Sequence, residues 1–486
     1  MTKVYLIGSG PGDPTLLTLK ALSIIKQADV VLYDFLVHPT VLSYCKETCD
    51  IHCVGKKRGQ HSTTQDTINQ MMITAAKAGK VVVRLKGGDP FIFGRAGEEL
   101  DALIEANIPF ECVPGVSSAI AVPEYVGIPL THRNLSRSVA FVTGTLKKGE
   151  THLDIPEADT LVFLMALHNI DALQKKLLSL KKFHPHTKAA IITQGTSANQ
   201  QIYSGTLETI AELKAQVINP SPALVVIGDV VALSDRYNWI TKKPLFSKRI
   251  LLTRPKGQND TLAEDLQALG ADVIITPTIT INPLPSTIKQ LTKKLIAKQS
   301  DIIFTSKNSV DIVMTHLLNQ GIDCRHLAHC HIHAIGQKTA EALKTYGLIA
   351  NQVAKIPSQE GLIELFNTNL NKRNILIPIA KEGRTVIKEE CEKRGATVTQ
   401  LSIYEQRLKP NHHLTLNHND IILLSSASIA KAFIKSFKLP KGLVFLAYGN
   451  STMQVLNAHK LSYISIANLS ASDIQIAISL SVKSLV

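Results

Sequence analysis

Gly8, Gly10 and Gly12 follow the apolar run Val4-Tyr5-Leu6-Ile7 in the stretch IGSGPGDP, and Asp34 closes the next apolar run, ADVVLYD. A glycine-rich turn behind a buried strand lets a ligand approach the backbone, and the commonest such ligand is a dinucleotide. That chemistry requires G-x-G-x-x-G, with an acid about 20 residues further on to take the ribose hydroxyls. Asp34 satisfies the acid half of this pattern. The glycine half breaks, because the third fingerprint position is Asp13 and Pro11 removes one amide donor. A carboxylate at Asp13 would stand where pyrophosphate meets the helix N-terminus, which disfavours phosphate; Asp13 is also explained as a plain helix cap.

A second glycine turn, Arg84-Leu85-Lys86-Gly87-Gly88-Asp89-Pro90, follows Val81 to Val83 and again ends in an acid and a proline. It lacks the G-x-x-x-x-G-K-[ST] of a phosphate loop. A ligand served by two such turns carries positive charge or hydroxyls, and S-adenosylmethionine has that character. Cys45, Cys49 and Cys53 beside His52 invite a metal reading. A helix would put Cys45 and Cys49 on one face, but Cys53 to Val54 reads as the start of a strand, and no second cluster completes four ligands. No metal is expected.

The elements that must position these residues alternate in an α/β rhythm: VYLIGSG, ADVVLYD, KVVVRLKGGD, FECVPG, SVAFVTG, DTLVFLMAL, KAAIITQGT and PALVVIGDVV, with helical stretches between. At 486 residues, 45% hydrophobic and 19% charged, the chain is globular and too long for one core. The polar stretch from Trp239 to Lys248 precedes a fresh strand, KRILLTRP, and places a domain boundary there, with one domain over 1–244 and another over 248–486. The second half echoes itself. DIIFTSKNSV from Asp301 resembles DIILLSSASI from Asp420, and IHAIGQKTAEAL from Ile332 resembles VFLAYGNSTMQVL from Val444; Ser-led helix starts follow each. Two similar lobes of strand, Ser-capped helix, strand and helix are expected, with a large ligand in a cleft between them.

Seven cysteines without a signal sequence argue for reduced thiols, and no apolar run approaches the roughly 18 residues of a membrane span, so a cytoplasmic protein is expected. A formal net charge of +14 favours an acidic partner. Aromatics are only 5%, without stacking platforms or a basic run beyond short pieces such as Lys147-Lys148, which disfavours nucleic acid; a multiply anionic small molecule fits the charge as well, and so does a solvated basic surface.

The first half resembles uroporphyrinogen-III C-methyltransferase, within the tetrapyrrole methylases, through IGSGPGDPTLLTLKAL, ADVVLYD, VGKKRGQHS, VVVRLKGGDPFIFGRAGEE, PFECVPGVSSA, GIPLTHR, TLVFLMAL, ITQGTSANQQ and SPALVVIGDVVAL, in that order. The long RLKGGDPF segment makes the likeness specific. It implies a two-lobed tetrapyrrole methylase fold, S-adenosylmethionine as methyl donor, and donor contacts from Pro11, Gly87, Gly88, Asp89, Ile92, Ser117, Ser118, Met165, Gly195 and Ala223. It further implies a proton acceptor at Asp34, a proton donor at Lys56, and a homodimer formed through this half. On residue type alone, Met165 and Ile92 equally suit a core, Ser117 and Ser118 a helix cap, and Lys56 a solvated charge. Arg84, Arg95, His132 and Arg133 are candidates for holding substrate carboxylates. Thr145, Ala166 and Pro123-Glu124 depart from the family pattern, which bears on substrate position more than on donor binding.

From Arg249 the chain resembles uroporphyrinogen-III synthase, through ILLTRPKGQNDTLAEDLQALGADVIITPTITI, DIIFTSKNSV, HAIGQKTAEALKTYG, KIPSQEGL, ILIPIAKEGRTVIKEECEKRGATVTQLSIYEQ and DIILLSSASI. This implies a two-lobed α/β synthase fold that closes hydroxymethylbilane to uroporphyrinogen III, with Tyr404 matching the tyrosine that helps water leave; a half-buried strand aromatic is the plain alternative. Thr305, Ser306, Ser425, Ser426, Gly336 and Gly449, with Arg254 and Lys307, are expected where the lobes face each other. The two resemblances together imply a bifunctional enzyme leading from hydroxymethylbilane to precorrin-2, toward sirohaem or corrinoids. A precorrin-2 dehydrogenase would need a further dinucleotide domain ahead of Val4, so oxidation and metal insertion are expected of other proteins. A nicotinamide enzyme in the first half and a silent, substrate-holding second half are the competing readings.

Overall fold

Each apolar run of the first half becomes a strand in the computed structural model, which describes residues 3–55, 63–145, 154–180, 182–356, 358–366, 369–409 and 414–483. The described chain forms two compact units, Met1–Thr276 with Asn411–Val486, and Pro277–Pro410. The first sheet is parallel, in the order Asp50–Cys53, Val30–Tyr33, Val82–Lys86, Val4–Gly8, Phe110–Val113. Val30–Tyr33 and Val82–Lys86 are buried along their whole length, as strands covered on both faces must be. The chain leaves Val4–Gly8 toward one edge and Val82–Lys86 toward the other. These adjacent strands form a topological switch point, whose crevice opens at their carboxyl ends. Both glycine turns leave the sheet there.

The second sheet is mixed, in the order Val139–Thr143, Thr160–Leu164, Ala223–Ile227, Lys188–Thr193, Gln201–Thr206. Helix Ser118–Tyr125 starts beside the crevice of the first sheet and buries Ala119 and Val122 against Val162, Leu164 and Ile192 of the second. One helix thereby fixes the two sheets to each other.

The repeat in the second half is larger than the echoed sequence stretches indicate. A parallel sheet in the first unit runs Asp272–Ile275, Arg249–Leu252, Ile421–Leu424, Val444–Tyr448, Tyr463–Ile466. A sheet in the second unit repeats that order as Thr397–Leu408, Asn374–Ala380, Asp301–Phe304, His331–Ala334, Gln352–Val353, with Ile279–Pro283 added antiparallel at its edge. The repeated unit is therefore five strands, and the first copy is split in sequence around the second. Ser306 and Ser426 cap equivalent helices with nearly equal backbone angles, accepting from Ser309 N at 3.0 Å and Ile429 N at 3.3 Å. Ion pairs repeat too: Arg249 binds both carboxylate oxygens of Asp420, and Arg373 both of Asp301.

The cysteines fall differently from expectation. No helix spans Cys45 to Cys49, and Cys53 ends a strand instead of starting one. Among the described residues no three His, Cys, Asp or Glu side chains are placed to hold a metal ion, and no helix is long and apolar enough to cross a membrane.

Candidate active site

The two glycine turns are bonded to each other. Gly88 N donates to Gly10 O at 2.7 Å and Gly10 N to Gly88 O at 3.3 Å, with φ of 66° and 82°. A side chain at either position would be strained in this left-handed backbone. Behind them the backbones stack closely, since a Cβ on Gly8 would lie 2.5 Å from Gly88 O and 2.6 Å from Gly115 Cα. Asp89 locks the arrangement by accepting from Phe91 N at 2.8 Å and from Gly115 N at 3.0 Å. Asp89 is thus a turn-former, whatever else it meets.

Asp13 takes the capping role open to it. It caps the short helix Pro14–Leu16, accepting from Thr15 N at 2.8 Å, and Tyr125 Oη donates to its other oxygen at 2.8 Å. Burial, with the Asp13 charge added, pushes the Tyr125 phenol pKa up, so this donor stays protonated. A pyrophosphate would meet an occupied carboxylate here.

Pro11, Gly87, Gly88, Asp89 and Ile92 lie on the two turns, and Ser117 and Ser118 at the adjoining helix start, where Ser117 caps Ala119 N at 3.3 Å. Met165, Gly195 and Ala223 sit together at one end of the second sheet, after Thr160–Leu164, after Lys188–Thr193 and at the start of Ala223–Ile227. The two groups meet where Asp13 N donates to Thr196 Oγ1 at 3.1 Å and a Cβ on Gly12 would lie 3.3 Å from Gly195 O. Met165 is 53% exposed with φ 57°, and Ile92 is 37% exposed, so neither is a core residue. Ala166, in contrast, is buried, its Cα 2.3 Å from where a Cβ on Gly144 would stand.

Asp34 follows strand Val30–Tyr33 and is partly exposed, its carboxylate bound by Arg84 Nη2 at 2.6 Å. Arg84 is buried and continues to Glu99, donating from Nε at 3.0 Å; Lys86 Nζ reaches the same Glu99 oxygen at 2.9 Å. Two cations and two carboxylates thereby balance inside the domain. Burial lowers the Lys86 pKa, helped by the neighbouring Arg84 charge, while Glu99 works against both. Sequence reasoning misses Glu99, although it carries a signal: Arg84 and Lys86 share one face of an otherwise apolar central strand, and such a pair demands a buried counter-charge. Lys56 lies outside the described residues. Arg95 pairs with Glu98 on the surface, and His132 and Arg133 are on an exposed turn.

In the second unit Tyr404 is 3% exposed within the core of strand Thr397–Leu408, more buried than the plain strand aromatic expected. Its hydroxyl lies 3.0 Å from Ser306 Oγ, and burial raises its pKa despite hydrogen bonds to Ser306 and Asn308. Thr305 and Lys307 flank that serine. Gly336 starts helix Gln337–Thr345 with extended backbone, whereas Gly449, starting Asn450–Ala458, has φ 83°. Ser425 precedes the capping Ser426, and burial lowers the Arg254 pKa.

Residues 3–211 match the family Tetrapyrrole (Corrin/Porphyrin) Methylases, and residues 260–471 match Uroporphyrinogen-III synthase HemD. Fold and matches together define a two-part enzyme of tetrapyrrole biosynthesis. The porphyrin biosynthesis protein HemD of Ruminiclostridium josui is 35% identical over 482 residues, covering 95% of this chain and 94% of that protein. The chain belongs to the family of this fused protein, with a tetrapyrrole methylase first and a uroporphyrinogen-III synthase second. The siroheme synthase of Psychrobacter cryohalolentis is 47% identical over 247 residues, 50% of this chain and 47% of that one, so the chain spans about half of such relatives. The uroporphyrin-III-C-methyltransferase of Thermus thermophilus, known as a crystal structure, is 43% identical with a TM-score of 0.43, over 49% of this chain and 97% of that one.

Proposed function

We propose that the methylase half, residues 1–244, transfers two methyl groups from S-adenosylmethionine to uroporphyrinogen III to give precorrin-2. In the same reading the synthase half, residues 248–486, closes hydroxymethylbilane to uroporphyrinogen III. The chain then makes its own methylation substrate, in the cytoplasm. The observation that carries this is the bonded Gly10–Gly88 pair at the switch-point crevice, with Asp34 held at the same sheet edge by Arg84.

The residues fit such a donor. Asp13 is occupied and Pro11 has no amide proton, which suits a ligand without phosphates, and the acid at Asp34 suits a cationic sulfonium. Bound there, S-adenosylmethionine supplies an electrophilic methyl group. The glycine turns and the exposed Met165 would align it for in-line attack by an electron-rich pyrrole carbon, the S–CH3 bond breaking and neutral S-adenosylhomocysteine leaving. Asp34 takes the proton shed on rearrangement, with Arg84 fixing its carboxylate; Lys56 is assigned the proton-donating or carboxylate-holding role. Uroporphyrinogen carries eight carboxylates, which gives the net charge of +14 a use. In the synthase half the substrate ionises readily by losing water, and conformation does most of the work. Tyr404, kept neutral by burial, remains a hydrogen-bond donor.

The full chain is tested by supplying hydroxymethylbilane and labelled S-adenosylmethionine and weighing the product. A type III ring carrying two labelled methyl groups is expected. An unmethylated ring overturns the first assignment, and a type I ring the second. Tight NADH binding, measured in competition with S-adenosylhomocysteine, would restore the nicotinamide alternative. Tyr404→Phe removes only neutral hydrogen bonds and should slow cyclisation by about threefold to tenfold, read as the rate of type III formation. Complete inactivation would instead make the phenol essential.

A further inference from the structure

Asp272 opens the edge strand Asp272–Ile275 of the synthase-type sheet, yet its carboxylate serves the methylase half. One oxygen lies 2.9 Å from His38 Nε2, and the other accepts from Ala198 N at 3.1 Å. His38 Nδ1 accepts from Thr40 N at 3.2 Å, so the ring proton is on Nε2 and a neutral imidazole donates to Asp272. Thr40 completes the contact: Oγ1 donates to Val273 O at 2.7 Å and accepts from Ile275 N at 3.1 Å, covering the otherwise open sheet edge. Both side chains of the His38–Asp272 pair are about nine-tenths buried, with 9% and 11% exposure.

The two partners of Asp272 come from different walls of the donor site. His38 directly follows the tight turn Asp34–Val37, closed by Val37 N donating to Asp34 O at 3.0 Å. Ala198 directly follows the turn Gln194–Ser197, which carries Gly195 and Thr196, and Thr196 is the residue that binds Asp13 N. A single buried carboxylate thus ties the turn from the first methylase sheet to the turn from the second.

We propose that Asp272, contributed by the synthase half, is a positioning residue for methyl transfer, clamping the Asp34 turn and the Gly195 turn in register. This rests on the reading of Asp34 and Gly195 as site residues given above. The clamp explains a physical use for the fusion: the methylase site is completed by a neighbour to which it is covalently joined.

The test uses the full chain and its variants, reading methylation kcat, the KM for S-adenosylmethionine, and synthase turnover. His38→Ala cuts the tie to the Asp34 turn, along with the Nδ1 cap on Thr40 N, but keeps the Ala198 contact, and is expected to lower methylation kcat roughly tenfold with little change in KM. Asp272→Ala releases both turns and is expected to lower kcat equally and also raise KM roughly tenfold, with synthase turnover within about twofold of the parent. The double variant should lose no more kcat than Asp272→Ala alone. Asp272→Asn, which keeps shape and an acceptor oxygen, should recover most of KM. Unchanged methylation in Asp272→Ala, additive losses in the double variant, or a parallel fall of both activities would each overturn the proposal; the last would make Asp272 only a strut of its strand. Binding of S-adenosylhomocysteine by the parent chain is measured first, and its absence would remove the donor-site reading together with the clamp.

Discussion

Asp34→Asn should bind S-adenosylhomocysteine within about threefold of the parent while its methylation kcat falls by about 10²- to 10⁴-fold, the usual contribution of a positioned general base. The amide is isosteric and keeps an oxygen for Arg84 Nη2, which stands 2.6 Å from Asp34 Oδ1, so the local geometry is preserved. The negative charge is lost, and with it the capacity to accept a proton. Calorimetric titration with S-adenosylhomocysteine separates binding from chemistry, and single-turnover transfer of labelled methyl measures the chemistry. Turnover at the parental rate would remove Asp34 from the reaction and leave it as the anion that balances Arg84.

Glu99→Ala should destabilise the methylase half by about 3–5 kcal/mol, because it strips the shared counter-charge from two buried cations. Arg84 and Lys86 are each only 3% exposed and both end on one Glu99 oxygen, so neither has water to turn to. Trp239, the only tryptophan, packs edge-on against Tyr125 with ring centroids 5.2 Å apart, and its fluorescence in urea follows the unfolding of this half. Removing Lys86 as well, in Glu99→Leu with Lys86→Met, should cost less than Glu99→Ala alone, since an apolar pair needs no counter-charge. Equal stability of Glu99→Ala and the parent would show that the network is solvated. The same variant should also slow methylation, because Arg84 then loses the partner that aims it at Asp34.

Much of the site is legible in the sequence. The letters Pro11 and Asp13 mark a turn that departs from the dinucleotide fingerprint, and Asp13 caps Pro14–Leu16. The alternation of apolar runs and helical stretches marks all but two strands of the first half. The two it passes over, Asp50–Cys53 and Gln201–Thr206, are edge strands with no fully buried residue, whose mixed polar sequence leaves no apolar run to read. Ser306 and Ser426 read as caps because a serine before an apolar helix is a local signal. Glu99 is not legible as a partner, since nothing near it in sequence says which strand it faces. The correspondence between RILLTRP and RNILIPIA is hidden for another reason: the first copy of the repeat is interrupted by the whole of the second, so RILLTRP opens one copy while RNILIPIA comes late in the other. Met165 misleads by type, because a methionine after an apolar strand reads as core, yet its left-handed backbone turns the side chain outward.

By itself the sequence determined the α/β class, the two halves, and the break at Pro11 and Asp13 in the dinucleotide fingerprint of the first glycine turn. These follow from periodicity, turn residues and side-chain type, which act over a few neighbouring positions. Only the tertiary structure decided that Gly10 bonds to Gly88, that Arg84 and Lys86 share Glu99, and that Asp272 reaches His38 and Ala198. Each of these is a polar group with little access to water that meets partners from other elements of the chain. Burial makes such pairing obligatory, but only the order of strands in the sheets settles which groups meet.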